Sequence, residues 1–447
     1  MSEQEIKQTS MSDVKKRYGD TWIWGLYLAL IGISIVENYS ASSRNVSTMG
    51  IYMPLVKHCA FLAAGVFICW FISKQDYNKP RFLWLTIPIL ALFTVLMLIL
   101  VMFVGEEVNG AQRAIPIIPG LFTIQPAEIA KLSVVTLLAF ILARNQTGND
   151  VSRGGLLKAI FVVLLFGGLM VKNGMTNFLL LIAICGTMFI VGGVSFKKLG
   201  IIIVITGVLG GLVALMFIMG AQNDQSIADA NAKENIETVA DTTNTDVNIG
   251  RSATWVARLQ RHSSRDSLRF QPITGINSQE MFSTMAQAHG GLYGVGVGNS
   301  RECCRLPLAF SDYIYSIILE ELGLVGGIVV LLIYLSLLGR ALSIVQRCHR
   351  VLPALLILGM ASLITFQALF HMAINVGWFP VSGQPLPLIS NGGTSILVMS
   401  AAFGIMLSVS RTITNPKKQN KENDTVTLPE GLDAKNPLQY EPKNVWK

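Results

Sequence analysis

Three carboxylates fall where charge is expensive. Asp312, Glu320 and Glu321 lie in LPLAFSDYIYSIILEELGLVGG, residues 306–327, where a polar stretch runs into an apolar one. Ionisable groups in such surroundings persist mainly where they bind, pair or catalyse. Asp312 stands at the start of an expected helix, where the positive end of the dipole favours its ionised form. It either caps that helix beside Ser311 or serves as a general base at the membrane edge. Glu320 lies about 12 Å further along the helix axis, too deep to act on the same atom, so Glu320 and Glu321 read as partners for Arg or Lys. A second charged pair, Glu128 and Lys131 of QPAEIAKL, has the i,i+3 spacing that puts both on one helix face. It is either a packing salt bridge or the wall of a polar cavity.

Two backbone signals accompany the charges. GGLYGVGVGNS carries Gly294, Gly296, Gly298 and Asn299. Such a run lets a ligand approach the main chain, or packs as a tight turn on protein; it lacks the Lys-Ser/Thr and preceding strand of a nucleotide loop. GQPLPLISNGGTS, residues 383–395, places Ser390, Gly392 and Gly393 just before the last apolar run. Irregular backbone at membrane depth survives only against protein or a wet cavity. His371 and Asn375, four residues apart on the preceding run, point toward the same side. The six cysteines have no metal-ligand spacing, and no HExxH, catalytic triad or nucleotide-loop signature occurs.

The elements that must hold these groups are membrane helices. Of the 447 residues 51% are hydrophobic and 14% charged, against about 25% charged in a soluble domain; mean hydropathy is +0.52. Apolar runs of spanning length cover 22–40, 51–73, 82–104, 127–144, 155–171, 177–194, 199–219, 312–337, 351–378 and 391–411, which predicts an all-α polytopic protein of ten helices. The first run follows some twenty polar residues and no cleavage site comes after it, so it is expected to stay in the membrane. Lys and Arg of the short loops gather on one side, including Lys74, Arg144, Lys197, Lys198, Arg340 and Arg411. That distribution places both termini in the cytoplasm. Residues 1–21 form a cytoplasmic segment, 22–411 the helical domain with an outer loop at 220–311, and 412–447 a disordered cytoplasmic tail. The net charge of +8 is dispersed between apolar runs, as the positive-inside rule requires, which argues against nucleic-acid binding.

Taken together, NGAQRAI (residues 109–115), QPAEIAKL, GGLYGVGVGNS, SDYIYSIILEELGLVGG and LPLISNGGTS resemble the SEDS family (shape, elongation, division and sporulation) over about Trp22 to Arg411. GQPLPLISNGGTS, with Gln384, looks closer to the division-type FtsW branch than to RodA. The resemblance implies polymerisation of lipid II into glycan at the outer face of the bacterial inner membrane. It also implies a class B penicillin-binding protein and other division proteins as partners, and a divalent cation, Mg²⁺ or Mn²⁺, with Asp312 as a candidate ligand. Asp312 matches the family's essential aspartate, and Glu128 and Lys131 its polar pair in helix four. Arg113, Glu128, Lys131, Gly294, Gly296, Gly298, Asn299, Ser390, Gly392 and Gly393 are the implied substrate contacts, with Glu320, Glu321, His371 and Asn375 as supporting residues. Four positions depart from the family pattern: Ala114 where Trp is usual, Lys172-Asn173 for Pro-Asp, and Phe310 for His. The competing expectations are a flippase for lipid-linked precursors and a non-catalytic division scaffold.

Overall fold

Eight helices are long and apolar enough to span a bilayer among the described residues, making this a multi-pass membrane protein. They are α1 (Thr21–Ala41), α2 (Met53–Lys74), α3 (Ile87–Val104), α4 (Pro126–Arg144), α5 (Arg153–Val171), α9 (Gly323–Val345), α10 (Val351–Asn375) and α11 (Gly393–Ile413). Shorter elements fall between them: a sheet of β1 (Glu106–Val108), β2 (Ala111–Ile118) and β3 (Phe122–Ile124), a hairpin β4–β5 (Gln146–Thr147, Asp150–Val151), α6 (Met175–Val191), α7 (Ser278–Gly290) and α8 (Ile314–Glu321). The computed structural model describes residues 19–41, 53–77, 85–108, 111–118, 122–147, 150–171, 174–195, 197–202, 262, 273, 277–306, 309–348 and 350–413. Most of the expected seventh span and of the outer loop before residue 277, the side chain of Arg113, and both terminal segments lie outside these residues.

Burial separates centre from rim. The most apolar stretches of α4, α10 and α11 are 78, 83 and 83% buried, against 22–39% for the other five spans. Apolar residues that face outward, such as Leu92, Leu96 and Phe103 of α3, do so because lipid is their solvent. The three central helices also carry the polar groups, including Glu128, Lys131, Gln367 and His371, all buried. That is where a bilayer tolerates them.

Some elements were not expected. The chain between α3 and α4 folds into the antiparallel sheet β1-β2-β3, with Ile115 opposite Ile124 and Pro116 opposite Thr123. The sheet delivers the chain to Gln125, and Pro126 starts α4 at the one place where its missing N–H is not needed. The chain between α6 and α8 contains α7, which packs on α8. The tenth span begins as expected, but the ninth stops at Asn375 rather than running to residue 378, because Gly377 turns the chain at φ +83°.

The eighth span is not one helix. It breaks at Leu322 into α8 and α9, with Gly323 at φ +70°. A broken helix frees carbonyls at one end and N–H groups at the other, and here the glycine-rich turn satisfies both. Val295 and Gly296 N–H donate to the carbonyls of Glu320 and Glu321 at 3.0 and 2.9 Å. Leu324 and Val325 N–H donate to the carbonyls of Gly291 and Leu292 at 3.0 and 3.2 Å. Contact this close needs glycine: a Cβ on Gly294 would lie 2.1 Å from the Glu321 carbonyl oxygen. Gly294→Ala is therefore expected to lower the melting temperature far more than Gly298→Ala. Gly298 shares the left-handed φ (+81°) but has open space around its missing Cβ, so it bears only the backbone cost of about 1–2 kcal/mol. Equal shifts for the two variants in detergent would refute the packing role of Gly294.

Candidate functional site

The beginnings of several helices converge on one face of the bundle and enclose a cavity of about 160 Å³. Its lining comes from the first turns of α2 (Lys57, Phe61), the approach to α4 (Thr123, Gln125), the turn before α8 (Ser311, Asp312) and the segment 383–395 that leads into α11. Helix starts carry partial positive charge, and Lys57 adds a full one. Asp312 is the single acidic residue in the lining.

Asp312 sits in a turn, not on a helix. α8 begins at Ile314, and its cap position, Tyr313, makes no side-chain capping bond. The N-cap reading of Asp312 is thus replaced by a half-buried carboxylate presented to the cavity. Its surroundings are fixed from two sides. Ser311 Oγ donates to Asp312 Oδ1 at 3.1 Å, and Asn375 Nδ2 donates to the Asp312 carbonyl at 3.1 Å. Asn375 is itself held, its Oδ1 accepting from Ser316 N–H at 3.2 Å and Ser316 Oγ at 2.8 Å.

The opposite wall is irregular backbone pinned by side chains from three helices, α1, α9 and α10. The Gln384 carbonyl faces His371 Nδ1 at 2.6 Å, the Pro385 carbonyl accepts from Gln367 Nε2 at 3.2 Å, and the Pro387 carbonyl from Tyr334 OH at 2.6 Å. The Ile389 carbonyl accepts from Ser34 Oγ at 3.2 Å and Asn38 Nδ2 at 2.5 Å. Thr394 Oγ1, at the start of α11, donates to the Thr123 carbonyl at 2.8 Å. Asn391 N–H donates to the Phe310 carbonyl at 3.0 Å, and Ser390 Oγ to the Ser311 carbonyl at 2.7 Å, which joins this wall directly to the turn of Asp312. Leu388, fully buried, is held at φ +64° within the segment. Such a conformation persists only where neighbours over-determine it, as this set of bonds does.

Glu128 and Lys131 are not in the lining. Lys131 Nζ donates to Glu128 Oε1 at 2.7 Å and to Gln367 Oε1 at 2.5 Å, and Lys131 is fully buried. Gln367 passes this charge pair's order on to the Pro385 carbonyl, so the pair supports the cavity from beneath. The glycine run is also placed elsewhere. Its N–H groups do cradle an anion, but the anion is the protein's own: Glu321 accepts from the N–H of Gly298 and Ser300. Glu320 accepts from Ser300 Oγ at 2.5 Å and Arg301 N–H at 3.0 Å. Ser40 Oγ also donates to Glu321. Instead of Arg or Lys, then, the main partners of Glu320 and Glu321 are backbone and hydroxyl donors, because the turn that caps the helix break brings those donors to them. Asn299 Nδ2 folds back on the Val295 carbonyl at 3.2 Å.

Of the expected site residues the structure thus gathers Asp312, Gly392 and Gly393 around the cavity, with Ser390, His371 and Asn375 behind its walls. It adds Lys57, Gln125, Asn391 and Ser395, which the sequence reading passed over. Lys57 had a usable signal: it stands within the first turns of an apolar run, with Lys74 at the other end of α2 the next charged residue. The partner of Lys131, Gln367, is one amide within the 25 residues of α10. Among the described residues no group of three or more His, Cys, Asp or Glu side chains is arranged to hold a metal.

The chain resembles known proteins along nearly its whole length. It is 28% identical over 421 residues to the probable peptidoglycan glycosyltransferase FtsW of Xanthomonas oryzae pv. oryzae, covering 92% of this chain and 76% of the relative. It is 28% identical over 403 residues to stage V sporulation protein E of Bacillus subtilis, covering 89% and 98%. The rod shape determining protein RodA of Thermus thermophilus shares the fold, with TM-score 0.57 at 22% identity over 88% of this chain and 97% of that one. A chain solved in work on structural coordination of polymerization and crosslinking by a peptidoglycan synthase complex gives 0.59 at 22% identity over 88% and 98%. A family model for the FtsW, RodA and SpoVE cell cycle proteins matches residues 20–238 and 268–415. The chain therefore belongs to the FtsW/RodA/SpoVE family of cell cycle proteins.

Proposed function

We propose that this protein is a peptidoglycan glycosyltransferase that polymerises lipid II at the outer face of the bacterial cytoplasmic membrane, in septal synthesis during division. The observation that carries the reading is Asp312: one carboxylate in a cavity otherwise built from helix starts, a lysine and neutral polar groups. A sugar hydroxyl is a poor nucleophile until its proton is removed, and a carboxylate within hydrogen-bond reach is the usual base. The acceptor hydroxyl gives its proton to Asp312 and attacks the anomeric carbon. The bond from that carbon to the diphosphate breaks, and a polyprenyl diphosphate leaves with the electron pair.

The leaving group needs positive charge. Lys131 and the glycine run are committed to Glu128, Glu320 and Glu321, which leaves Lys57 as the described cation of the cavity. Lys57→Gln is expected to lower polymerisation about 10–10²-fold, as loss of a charged contact to the diphosphate implies. An unchanged rate would take Lys57 out of the site. A hard divalent ion also fits, since Mg²⁺ or Mn²⁺ binds through one or two carboxylates together with substrate phosphates. Asp312 with the oxygens of Ser311 and Gln125 would hold it, and it would supply further charge compensation at the diphosphate.

The orientation supports an outer site. Arg340, Lys198 and Arg411, paired with Asp20, Asp150 and Asp76, gather at the opposite ends of the helices. The positive-inside rule supports a cytoplasmic reading of that face, in keeping with the proposal of cytoplasmic termini. Lipid II, the growing strand and a class B penicillin-binding protein that cross-links it are the proposed partners, together with other division proteins. The buried Glu128–Lys131–Gln367 cluster lies behind Pro385 of the cavity wall, through the Gln367–Pro385 bond. The test is incubation of the purified protein with lipid II and its transpeptidase partner, followed by sizing of the glycan. Chains many disaccharides long are expected; a folded, partner-bound preparation that leaves lipid II unpolymerised overturns the proposal.

A further inference from the structure

α11 begins inside the cavity, with Gly392, Gly393, Thr394 and Ser395 all in the lining. The helix is 21 residues long, and its first N–H with an internal acceptor is that of Ile396, which reaches the Gly392 carbonyl at 2.9 Å. The N–H groups of Gly393, Thr394 and Ser395 precede that bond, and no protein acceptor engages them among the described residues. Such a start favours anions through its bare donors and its dipole, but water satisfies many helix starts equally well.

A second observation singles this one out. Ser395, 3% exposed, is one of the lining residues, and its Oγ is buried with no hydrogen-bond partner among the described residues. A buried hydroxyl left unpaired is destabilising. Its neighbour Thr394 shows what the alternative looks like: its Oγ1 donates to the Thr123 carbonyl at 2.8 Å and accepts from Gln125 N–H at 3.3 Å. Thr394 is used to close the wall, whereas Ser395 is kept free beside the bare N–H groups. Lys57 reaches the same cavity from α2, and Asp312, the one acid, comes from a different element.

We propose that the start of α11, with Ser395 Oγ and Lys57, binds the diphosphate of the lipid-linked substrate and holds it as it becomes the leaving group. This inference rests on the glycosyl-transfer reading. When the anomeric carbon–oxygen bond breaks, its electron pair stays on the phosphate oxygen, so negative charge grows there while the acceptor's proton passes to Asp312. Donors already fixed in place stabilise that growing charge without reorganising. The cavity's size agrees: about 160 Å³ is well below the roughly 300–1,000 Å³ of a pocket for a drug-sized ligand. It suits a diphosphate and the reacting edge of one sugar, with the polyprenyl tail and remaining sugars outside.

The experiment measures binding of undecaprenyl diphosphate to the full-length protein in nanodiscs, beside undecaprenol and inorganic pyrophosphate, and follows thermal unfolding of the same samples. Undecaprenyl diphosphate is expected to bind at least tenfold more tightly than undecaprenol. Ser395→Ala is expected to weaken that binding about 10–10²-fold, the worth of a hydrogen bond to a charged group. The same change removes an unpaired hydroxyl, so the ligand-free protein should melt no lower than the parent. Ser395→Asp, which sets a like charge against the phosphate, should weaken binding more than Ser395→Ala does. Wild-type affinity in a folded Ser395→Asp protein overturns the inference, as does a Ser395→Ala protein that binds normally. Inorganic pyrophosphate binding as tightly as the lipid would assign the site to a soluble anion and overturn the lipid assignment. Failure of the parent protein to polymerise lipid II while Ser395-dependent diphosphate binding persists would remove the glycosyltransferase reading and leave the anion site standing.

Discussion

Asp312→Asn should insert, fold and bind lipid II, yet polymerise it about 10²–10⁴-fold more slowly, the contribution typical of a positioned general base. The substitution suits the site because the amide keeps the shape of the carboxylate. An amide oxygen can accept from Ser311 Oγ as the carboxylate Oδ1 does, and Asn375 holds the backbone carbonyl rather than the side chain. What disappears is the capacity to take a proton. The measurement is the rate of glycan formation from lipid II beside a melting curve of the same preparation. Full activity in the variant would remove Asp312 from the chemistry, whereas a large fall in melting temperature would recast it as a structural residue.

The second large effect lies under the cavity. Glu128→Ala leaves the Lys131 ammonium fully buried with only Gln367 Oε1 as a described partner. Breaking a buried ion pair by removing one member typically costs about 3–5 kcal/mol. The double variant Glu128→Gln with Lys131→Met carries no buried charge and should recover most of that loss, since apolar or neutral replacements of buried pairs are often close to neutral. Thermal or denaturant unfolding in detergent tests both. If the single variant melts with the parent protein, Lys131 is reaching water and the cavity is deeper than its described lining. Activity should follow a different order: the double variant regains stability but lacks the Lys131–Gln367 contact that steadies the Pro385 carbonyl, so a kinetic deficit should persist after stability returns.

The sequence made the framework legible because lipid imposes a simple rule. Spans such as 22–40 and 391–411 announce themselves by length and hydropathy, and α1 and α11 appear within two residues of them at each end. Asp312 and the segment 383–395 stood out for the same reason, since carboxylates and Pro-Gly backbone are conspicuous against an apolar background. Pairing relations were not visible. Nothing local says that Glu320 and Glu321 take their donors from residues 298–302, because most of those donors are backbone N–H groups that every residue but proline possesses. The break at Leu322 was hidden too: Gly323 and its apolar neighbours read as continuous helix, and what stops the helix is a turn some thirty residues earlier in the chain. Lys57 was passed over because one lysine near the end of an apolar run is usually a side chain snorkelling to the interface.

The pinned segment ahead of α11 works like the central stone of an arch. Its carbonyls are gripped by Asn38 and Ser34 from the first span, Tyr334 from α9, and Gln367 and His371 from α10, while Ser390 leans on the turn of Asp312. A shift of any one of those helices must either carry this stone with it or break a bond in the wall of the cavity. Partners that press on the outside of the bundle, far from the sugar chemistry, therefore have a mechanical route to the geometry around the carboxylate, and the bilayer's own thickness and lateral pressure act through the same route.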